Sequence, residues 1–117
     1  MRTLLATGLA VVGLGLAAAP AIAGEITKIK DLQRGASVTV QGEVVRIMDE
    51  DEFRLKDDTG SAEIYIGWKN RVMVNVGETV TVKGFVDDDW VQGREKEIYA
   101  REIIRESGDV VALVPGD

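Results

Sequence analysis

The chain has 117 residues, with 14 Lys and Arg against 20 Asp and Glu, and it contains neither His nor Cys. Its length suits a single domain, and the missing residue types exclude zinc fingers, zinc hydrolase sites, iron–sulfur clusters, His-ligated haem and Cys–His or Ser–His nucleophile pairs. The formal net charge of -6 argues against affinity for a nucleic-acid backbone, so the composition favours a small acidic binding module without a cofactor over an enzyme.

The first 23 residues have the organisation of a secretory signal peptide. Arg2 supplies a positive start, residues 4–19 carry no charge, and Pro20 precedes the small-residue motif Ala21–Ala23. The alternative is a membrane anchor, since about 20 apolar residues can span a bilayer, but the glycines, the proline and the A-x-A motif argue against it. We therefore expect cleavage after Ala23 and export to the periplasm of a Gram-negative cell, with no membrane anchor left on the mature chain.

The exported chain begins with a lead over residues 24–36. Thr27 is expected to cap a short helical turn that places Ile29 and Leu32 on one face, and Gly35 follows where a helix end favours glycine. From residue 37 onward apolar and polar residues alternate, which is the pattern of half-buried strands. The predicted strands are 37–48, 52–57, 61–66, 78–86 and 96–104. Residues 106–117 form a C-terminal tail, whose short apolar patch either packs on the strands or stays loose.

A pattern of glycine, valine and threonine occurs twice, at Gly35–Val44 and at Gly77–Val86. The repeat puts Gly42 and Gly84 in the middle of a strand. Glycine weakens a strand unless a bend or a close backbone approach requires it, and bent strands are what a small closed barrel needs. With a bulge expected late in the fifth strand, these features predict an all-β fold, a five-stranded Greek-key OB-fold barrel over residues 37–105.

Three stretches of the sequence, Val38–Val45, Phe53–Gly60 and Val80–Trp90, resemble the bacterial OB-fold (BOF) family, small exported proteins of the YgiW/YdeI stress-tolerance type. The family pattern Gly-x-Val-Asp-x-Asp-Trp is matched at Gly84, Val86, Asp87, Asp89 and Trp90. The resemblance covers about residues 26–104 and leaves the tail outside. It implies a periplasmic OB barrel with a role in stress tolerance, acting through a small or cationic ligand, and it supplies no catalytic residues.

The binding surface of an OB barrel is the outer face of its second and third strands, bordered by the loops after the first and fourth strands. The candidate ligand contacts on this surface are Arg54, Lys56, Tyr65, Trp68 and Trp90. The two loops supply an acidic rim of seven residues, Asp49, Glu50, Asp51, Glu52, Asp87, Asp88 and Asp89. Carboxylates that frame one cleft with aromatic faces would attract a polyamine, a basic peptide or a cation, and an envelope protein is the other class of partner.

Each of these signals has a simpler interpretation. Acidic turns at strand ends also keep a small protein soluble and its sheet edges unpaired. The acidic run 49–52 departs from the pattern of a calcium-binding loop, so we expect no metal site. Trp90 could instead cover the end of the barrel, and Arg54 and Lys56 could pair with Glu63. Binding of single-stranded nucleic acid is the alternative function that the fold suggests, and both export and the acidic charge oppose it.

Overall fold

A computed structural model describes residues 25–89 and 95–115, which form six β-strands and almost no helix. The strands are β1 (Ser37–Asp49), β2 (Glu52–Lys56), β3 (Ser61–Tyr65), β4 (Thr79–Val86), β5 (Lys96–Ile104) and β6 (Val110–Ala112). The predicted signal peptide and Trp90 lie outside the described residues. Within the described part of the chain, no helix is long and apolar enough to cross a membrane.

Strands β1 to β5 close into a barrel. β1 pairs with both β2 and β4, β2 pairs with β3, and β4 pairs with β5, all of them antiparallel. A parallel pairing between β3 and β5 then joins the two ends. This is the predicted five-stranded OB-fold barrel. The bulge expected in the fifth strand is present, because Lys83 faces Glu102 while Gly84 faces Ala100, which leaves Arg101 as the extra residue.

Gly42 and Gly84 lie where the backbones of two strands approach too closely for a side chain. A Cβ atom on Gly42 would overlap the carbonyl oxygen of Lys56, and one on Gly84 would overlap the carbonyl oxygen of Tyr99. β1 passes from its pairing with β4 to its pairing with β2 around Gly42. Both copies of the repeated pattern therefore have the same structural role, a close backbone contact that lets the strand curve around the barrel.

The inward positions of the strands fill the barrel with apolar side chains. Alternate residues of β2 and β3 are buried, as the period of two in the sequence predicts, and β4 follows the same pattern except that Thr81 is also buried. Among the described residues the core side chains without solvent exposure include Val40, Val44, Phe53, Leu55, Ile64, Val82, Val86, Ile98 and Ile103. The polar residues between them are consequently directed to the outer face of the barrel.

The lead before β1 contributes to the same core through a 3₁₀ turn, Ile29–Asp31. Ile29 and Leu32 are buried, as expected. The expected Thr27 cap is wrong, because Lys28 precedes the turn and no side chain caps it. Instead the backbone N–H of Ile29 donates a hydrogen bond of 2.9 Å to Oδ2 of Asp57, which fixes the lead to the β2–β3 hairpin.

The C-terminal tail packs on the barrel. β6 pairs antiparallel with the end of β5 and adds a sixth strand that the sequence did not predict. The backbone N–H of Leu113 then donates to the carbonyl oxygen of Arg101 at 2.9 Å. Asn70 holds the next residue from both sides: the N–H of Val114 donates to Oδ1 of Asn70 at 3.1 Å, and Nδ2 of Asn70 donates to the carbonyl oxygen of Val114 at 2.9 Å.

Candidate functional site

Three glutamates on neighbouring strands meet on the outer face of the barrel. Glu52 of β2, Glu63 of β3 and Glu97 of β5 each offer a carboxylate oxygen, and these oxygens lie within 4.8 Å of one another. All three point outward because the next residue along each strand is in the core, and the parallel register places Glu63 directly beside Glu97. We call Glu52, Glu63 and Glu97 the carboxylate cluster.

The carboxylate cluster has abnormal proton affinity. Burial, together with the neighbouring Glu63 and Glu97, raises the pKa of Glu52 from its ordinary value of 4.5 to about 7. Burial also raises the pKa of Glu97, with added repulsion from Asp87 and Glu63. Both shifts have the same cause, since negative charges that are close together and partly desolvated repel one another. A proton or another cation lowers the free energy of such a group.

Arg54 lies beside the carboxylate cluster and offsets part of its charge. Its Nη2 is 2.9 Å from Oε1 of Glu95 and 3.9 Å from Oε2 of Glu63, so the pairing with Glu63 considered from the sequence is present. Oε2 of Glu95 also accepts a hydrogen bond from the hydroxyl of Ser61. The Nε atom of Arg54 is buried without a hydrogen-bond partner. The guanidinium is therefore shared between two carboxylates, and one cation faces several anions on this surface.

An aromatic row adjoins the carboxylate cluster on the same face. It consists of Tyr65 of β3, Tyr99 of β5 and Phe85 of β4. The ring centroids of Tyr65 and Tyr99 are 5.8 Å apart and those of Phe85 and Tyr99 are 5.2 Å apart, both in edge-to-face geometry. Tyr65 and Tyr99 each lie two residues beyond a glutamate of the cluster, so the charged and aromatic surfaces are continuous. Burial raises the pKa of Tyr99, with additional effects from nearby carboxylates.

A groove of about 730 Å³ runs along the aromatic row. The row forms one wall and the tail residues Leu113, Val114 and Pro115 form another, so most of the lining is apolar. Arg101 lines the groove beyond Tyr99, on the side away from Glu97, and its guanidinium carbon lies 5.3 Å from the centre of the Phe85 ring. The groove is therefore lined by one guanidinium and adjoins the carboxylate cluster through Tyr65 and Tyr99.

A second depression, of about 500 Å³, lies on the other side of Arg101. It is formed by β4, β5, the start of β1 and the lead residues Glu25 and Thr27, and it contains Lys83 as well as Arg101. Lys83 pairs with Glu102 at 3.7 Å. This depression shares no wall with the carboxylate cluster, and its lining has two cationic side chains against the single carboxylate of Glu25, so it favours a cation less than the cluster does.

The predicted contact residues fall in different places. Tyr65 and Arg54 belong to the surface just described. Lys56 is exposed and faces Ser61 at the opposite end of the β2–β3 hairpin from Tyr65, which faces Glu52. Trp68 is 61% exposed just after β3, and the ammonium of Lys69 lies 5.3 Å from its ring centre. Trp90 lies outside the described residues.

The structure brings only part of the acidic rim to this surface. The connection from β1 to β2 is a two-residue turn, with Asp49 and Glu52 as paired strand ends. Glu52 belongs to the carboxylate cluster, whereas Glu50 is directed to Arg71, at 3.4 Å.

In the loop after β4, Asp87 interacts with Glu97 and accepts a hydrogen bond of 3.0 Å from the N–H of Asp89. Asp87, Asp88 and Asp89 have carboxylate oxygens within 4.8 Å of one another. Asp51 raises the pKa of Glu52 electrostatically. Among the rim residues, Glu52 therefore belongs to the cluster and Asp87 borders it through Glu97.

Sequence reasoning did not include Glu97, Tyr99 and Phe85 in the site. The alternation along β5 gives both Glu97 and Tyr99 an outward direction, so a signal was present. That alternation gives no information on which strand lies next to β5, because the parallel β3–β5 pairing joins residues far apart in the chain. Only closure of the barrel places these side chains beside Glu63 and Tyr65.

The sequence matches the family described as bacterial OB fold (BOF) protein over residues 10–104. It is also similar to the solved structure of the hypothetical protein ygiW from E. coli, with 30% sequence identity and a TM-score of 0.56. That similarity covers 70% of this chain and 90% of the other. No curated protein matches the sequence significantly.

Proposed function

This chain belongs to the bacterial OB-fold (BOF) family, and we propose that it is an exported binding module that takes a cationic ligand on the outer face of β2, β3 and β5. The observation that carries the proposal is the convergence of Glu52, Glu63 and Glu97 beside the aromatic row. The N-terminal sequence pattern supports a periplasmic location. The family resemblance supports a role in stress tolerance.

A cation would be stabilised on this surface in two ways. It would offset the burial and the mutual repulsion that together raise the pKa of Glu52 and Glu97. It could also lie against the rings of Tyr65 and Tyr99, where a cation–π contact contributes about 0.5–2 kcal/mol. A polyamine or a basic side chain of a peptide offers charges that can use both contributions.

Binding is favoured over catalysis. The BOF family has a binding-module fold and is not a known enzyme family. The candidate site offers carboxylates and phenols, and because the sequence has neither His nor Cys it offers no imidazole base and no thiol nucleophile. Nucleic acid is disfavoured as a ligand, since phosphates would approach the carboxylate cluster on the face that OB folds ordinarily use for oligonucleotides.

Titration with spermidine at low ionic strength, followed by calorimetry and amide chemical shifts, tests the proposal. We expect saturable binding, shifts centred on Glu63, Tyr65, Glu97 and Tyr99, and weakening as salt is added. The double variant E63Q/E97Q should bind at least about tenfold more weakly, since an exposed ion pair contributes up to about 1 kcal/mol and two such attractions are lost.

The control is E43Q, which removes one charge at an exposed position beside Lys56, at the far end of the hairpin. If E43Q loses half as much binding free energy as E63Q/E97Q, which removes two charges, only net charge matters and the site is wrong. Calcium is titrated in parallel. If calcium binds the cluster and spermidine does not, the ligand is a metal ion and the organic cation is rejected. Fractionation of cells that express the tagged full chain tests the periplasmic location.

A further inference from the structure

The groove along the aromatic row has mainly apolar walls, which a simple polyamine would not contact favourably. The carboxylate cluster needs only an amine, but the adjoining groove of about 730 Å³ is lined mainly by apolar atoms. Its volume lies within the range of small-molecule sites, about 300–1,000 Å³. A ligand that carried only charges and short links between them would leave most of this surface in contact with water.

The charges beside the groove and within its lining are opposite in sign. Glu63 and Glu97 lie next to the groove, two residues before its lining residues Tyr65 and Tyr99, and the exposed Arg101 lines the groove two residues beyond Tyr99. A ligand that extends along the groove with a positive charge at the carboxylate cluster would be repelled if it carried a second positive charge near Arg101. Arg101 therefore disfavours a second cationic end, and the mainly apolar lining of the groove favours an uncharged arm.

We propose that the groove binds the uncharged apolar arm of an amphipathic cation whose amine lies on the carboxylate cluster, and that residues 113–115 give the protein its selectivity for this arm. The proposal rests on the function proposed above, because the amine occupies the same cluster. Charge complementarity between the cluster and the amine fixes the direction in which the ligand lies.

The tail has the position that this role requires. Leu113, Val114 and Pro115 line the groove opposite Tyr65 and Tyr99. Two hydrogen bonds with Asn70 hold Val114 there although its side chain is 51% exposed. The family match ends at residue 104, before β6 begins. The apolar wall is therefore supplied by a segment outside the part of the chain that matches the family.

The test compares three amines by calorimetry at low salt: butylamine, octylamine, and the octane diamine that carries an amine at each end. The wild-type protein should bind octylamine at least about tenfold more tightly than butylamine, since buried methylene groups contribute favourably. It should bind the diamine more weakly than octylamine. In R101Q, the affinities for octylamine and for the diamine should differ less than they do in the wild type.

Variants of the tail separate this proposal from the function on which it rests. A chain that ends after Ala112 should lose most of the preference for octylamine while its affinity for butylamine stays unchanged. V114S should reduce the preference in the same direction without a large effect on folding, because Val114 is half exposed. V110S is the matched control, since Val110 is 59% exposed on β6 and does not line the groove.

Each result has a defined meaning. Equal affinities for butylamine and octylamine, both reduced in E63Q/E97Q, would overturn the apolar arm and leave the cation site intact. An octylamine preference that is equal in V114S, V110S and the wild type would overturn the role of the tail. Octylamine binding that is insensitive to E63Q/E97Q would reject both this proposal and the cation site.

Discussion

Tyr65 and Tyr99 meet edge to face across the parallel seam between β3 and β5, with ring centroids 5.8 Å apart. Glu63 and Glu97, two residues earlier on the same strands, meet across the same seam. The seam thus aligns an aromatic pair with an acidic pair on one face of the barrel. Because these side chains point away from the core, their substitution should alter charge and binding more than folding.

Glu52 should make the protein less stable as the pH rises through neutrality. Its pKa is about 7 in the folded protein against an ordinary value of 4.5. Between these two values the folded state keeps a proton that the unfolded state has lost, so this contribution to stability is fully present below 4.5 and disappears as the pH rises through 7.

The variant E52Q removes that titration. Above neutral pH it should be more stable than the wild type by up to about 1 kcal/mol, after allowance for solvent screening. Urea unfolding at a series of pH values measures the difference. The control E43Q should keep the wild-type dependence of the free energy of unfolding on pH between acid and neutral values. A slope that is unchanged in E52Q would contradict the assignment.

The pair of Glu78 and Arg105 should have the opposite pH dependence. Arg105 donates two hydrogen bonds of 2.9 Å to the two carboxylate oxygens of Glu78, and this pairing is the main reason that the pKa of Glu78 is lowered to about 2. A lowered folded-state pKa means that the stabilisation is present above the ordinary value of 4.5 and is lost as the pH falls toward 2.

E78Q should therefore destabilise the protein at neutral pH by about 2 kcal/mol, since hydrogen bonds between charged groups contribute about that much. The free energy of unfolding of E78Q should also fall less steeply than that of the wild type as the pH decreases into the acid range. R105K keeps the charge but loses the two-point geometry, so its stability should lie between those of E78Q and the wild type. Thermal and urea unfolding at acid and neutral pH provide the comparison, and identical acid curves for E78Q and the wild type would refute it.

G84A should be strongly destabilising. A Cβ atom at this position overlaps the carbonyl oxygen of Tyr99, a backbone atom that cannot rotate away, so the strands must separate. We expect a loss of about 3 kcal/mol, the upper part of the range for overpacking. G60A is the control, because its Cβ would lie 3.6 Å from Cγ2 of Ile29, which is ordinary contact. Similar unfolding midpoints for the two variants would show that close approach at Gly84 is not required.

N70A should release the tail locally. The N–H of Val114 donates to the side chain of Asn70, whereas the N–H of Leu113 donates to the backbone of Arg101. Native-state hydrogen exchange should therefore become faster at Val114 by at least about tenfold and change less at Leu113. N75A is the control, since Asn75 lies in another loop and contributes its backbone N–H to Glu78. Unchanged exchange at Val114 in N70A would mean that other contacts hold the tail.

The sequence alone was sufficient to predict the five-stranded barrel. Phe53 and Leu55 alternate with charged residues, and a period of two can bury only one side of a strand, so their inward direction follows locally. Gly42 and Gly84 indicated curved strands, and the structure shows the close backbone contacts that exclude a side chain there. These inferences hold because the face of a strand on which a residue lies, and the curvature that a glycine permits, depend on only a few neighbouring residues.

The composition of the candidate site required the tertiary structure. The alternation of inward and outward residues along β3 predicted that Tyr65 lies on the outer face. Only the closed barrel puts Tyr99 and Glu97 beside it and leaves Lys56 at the other end of the hairpin. The tail reaches the groove because the end of β5, residues 102–104, extends beyond its pairing with β3 and leaves an edge on which β6 pairs. The physical reason is the same in both cases: contacts between distant segments depend on how strands align when the barrel closes, and local periodicity does not encode that alignment.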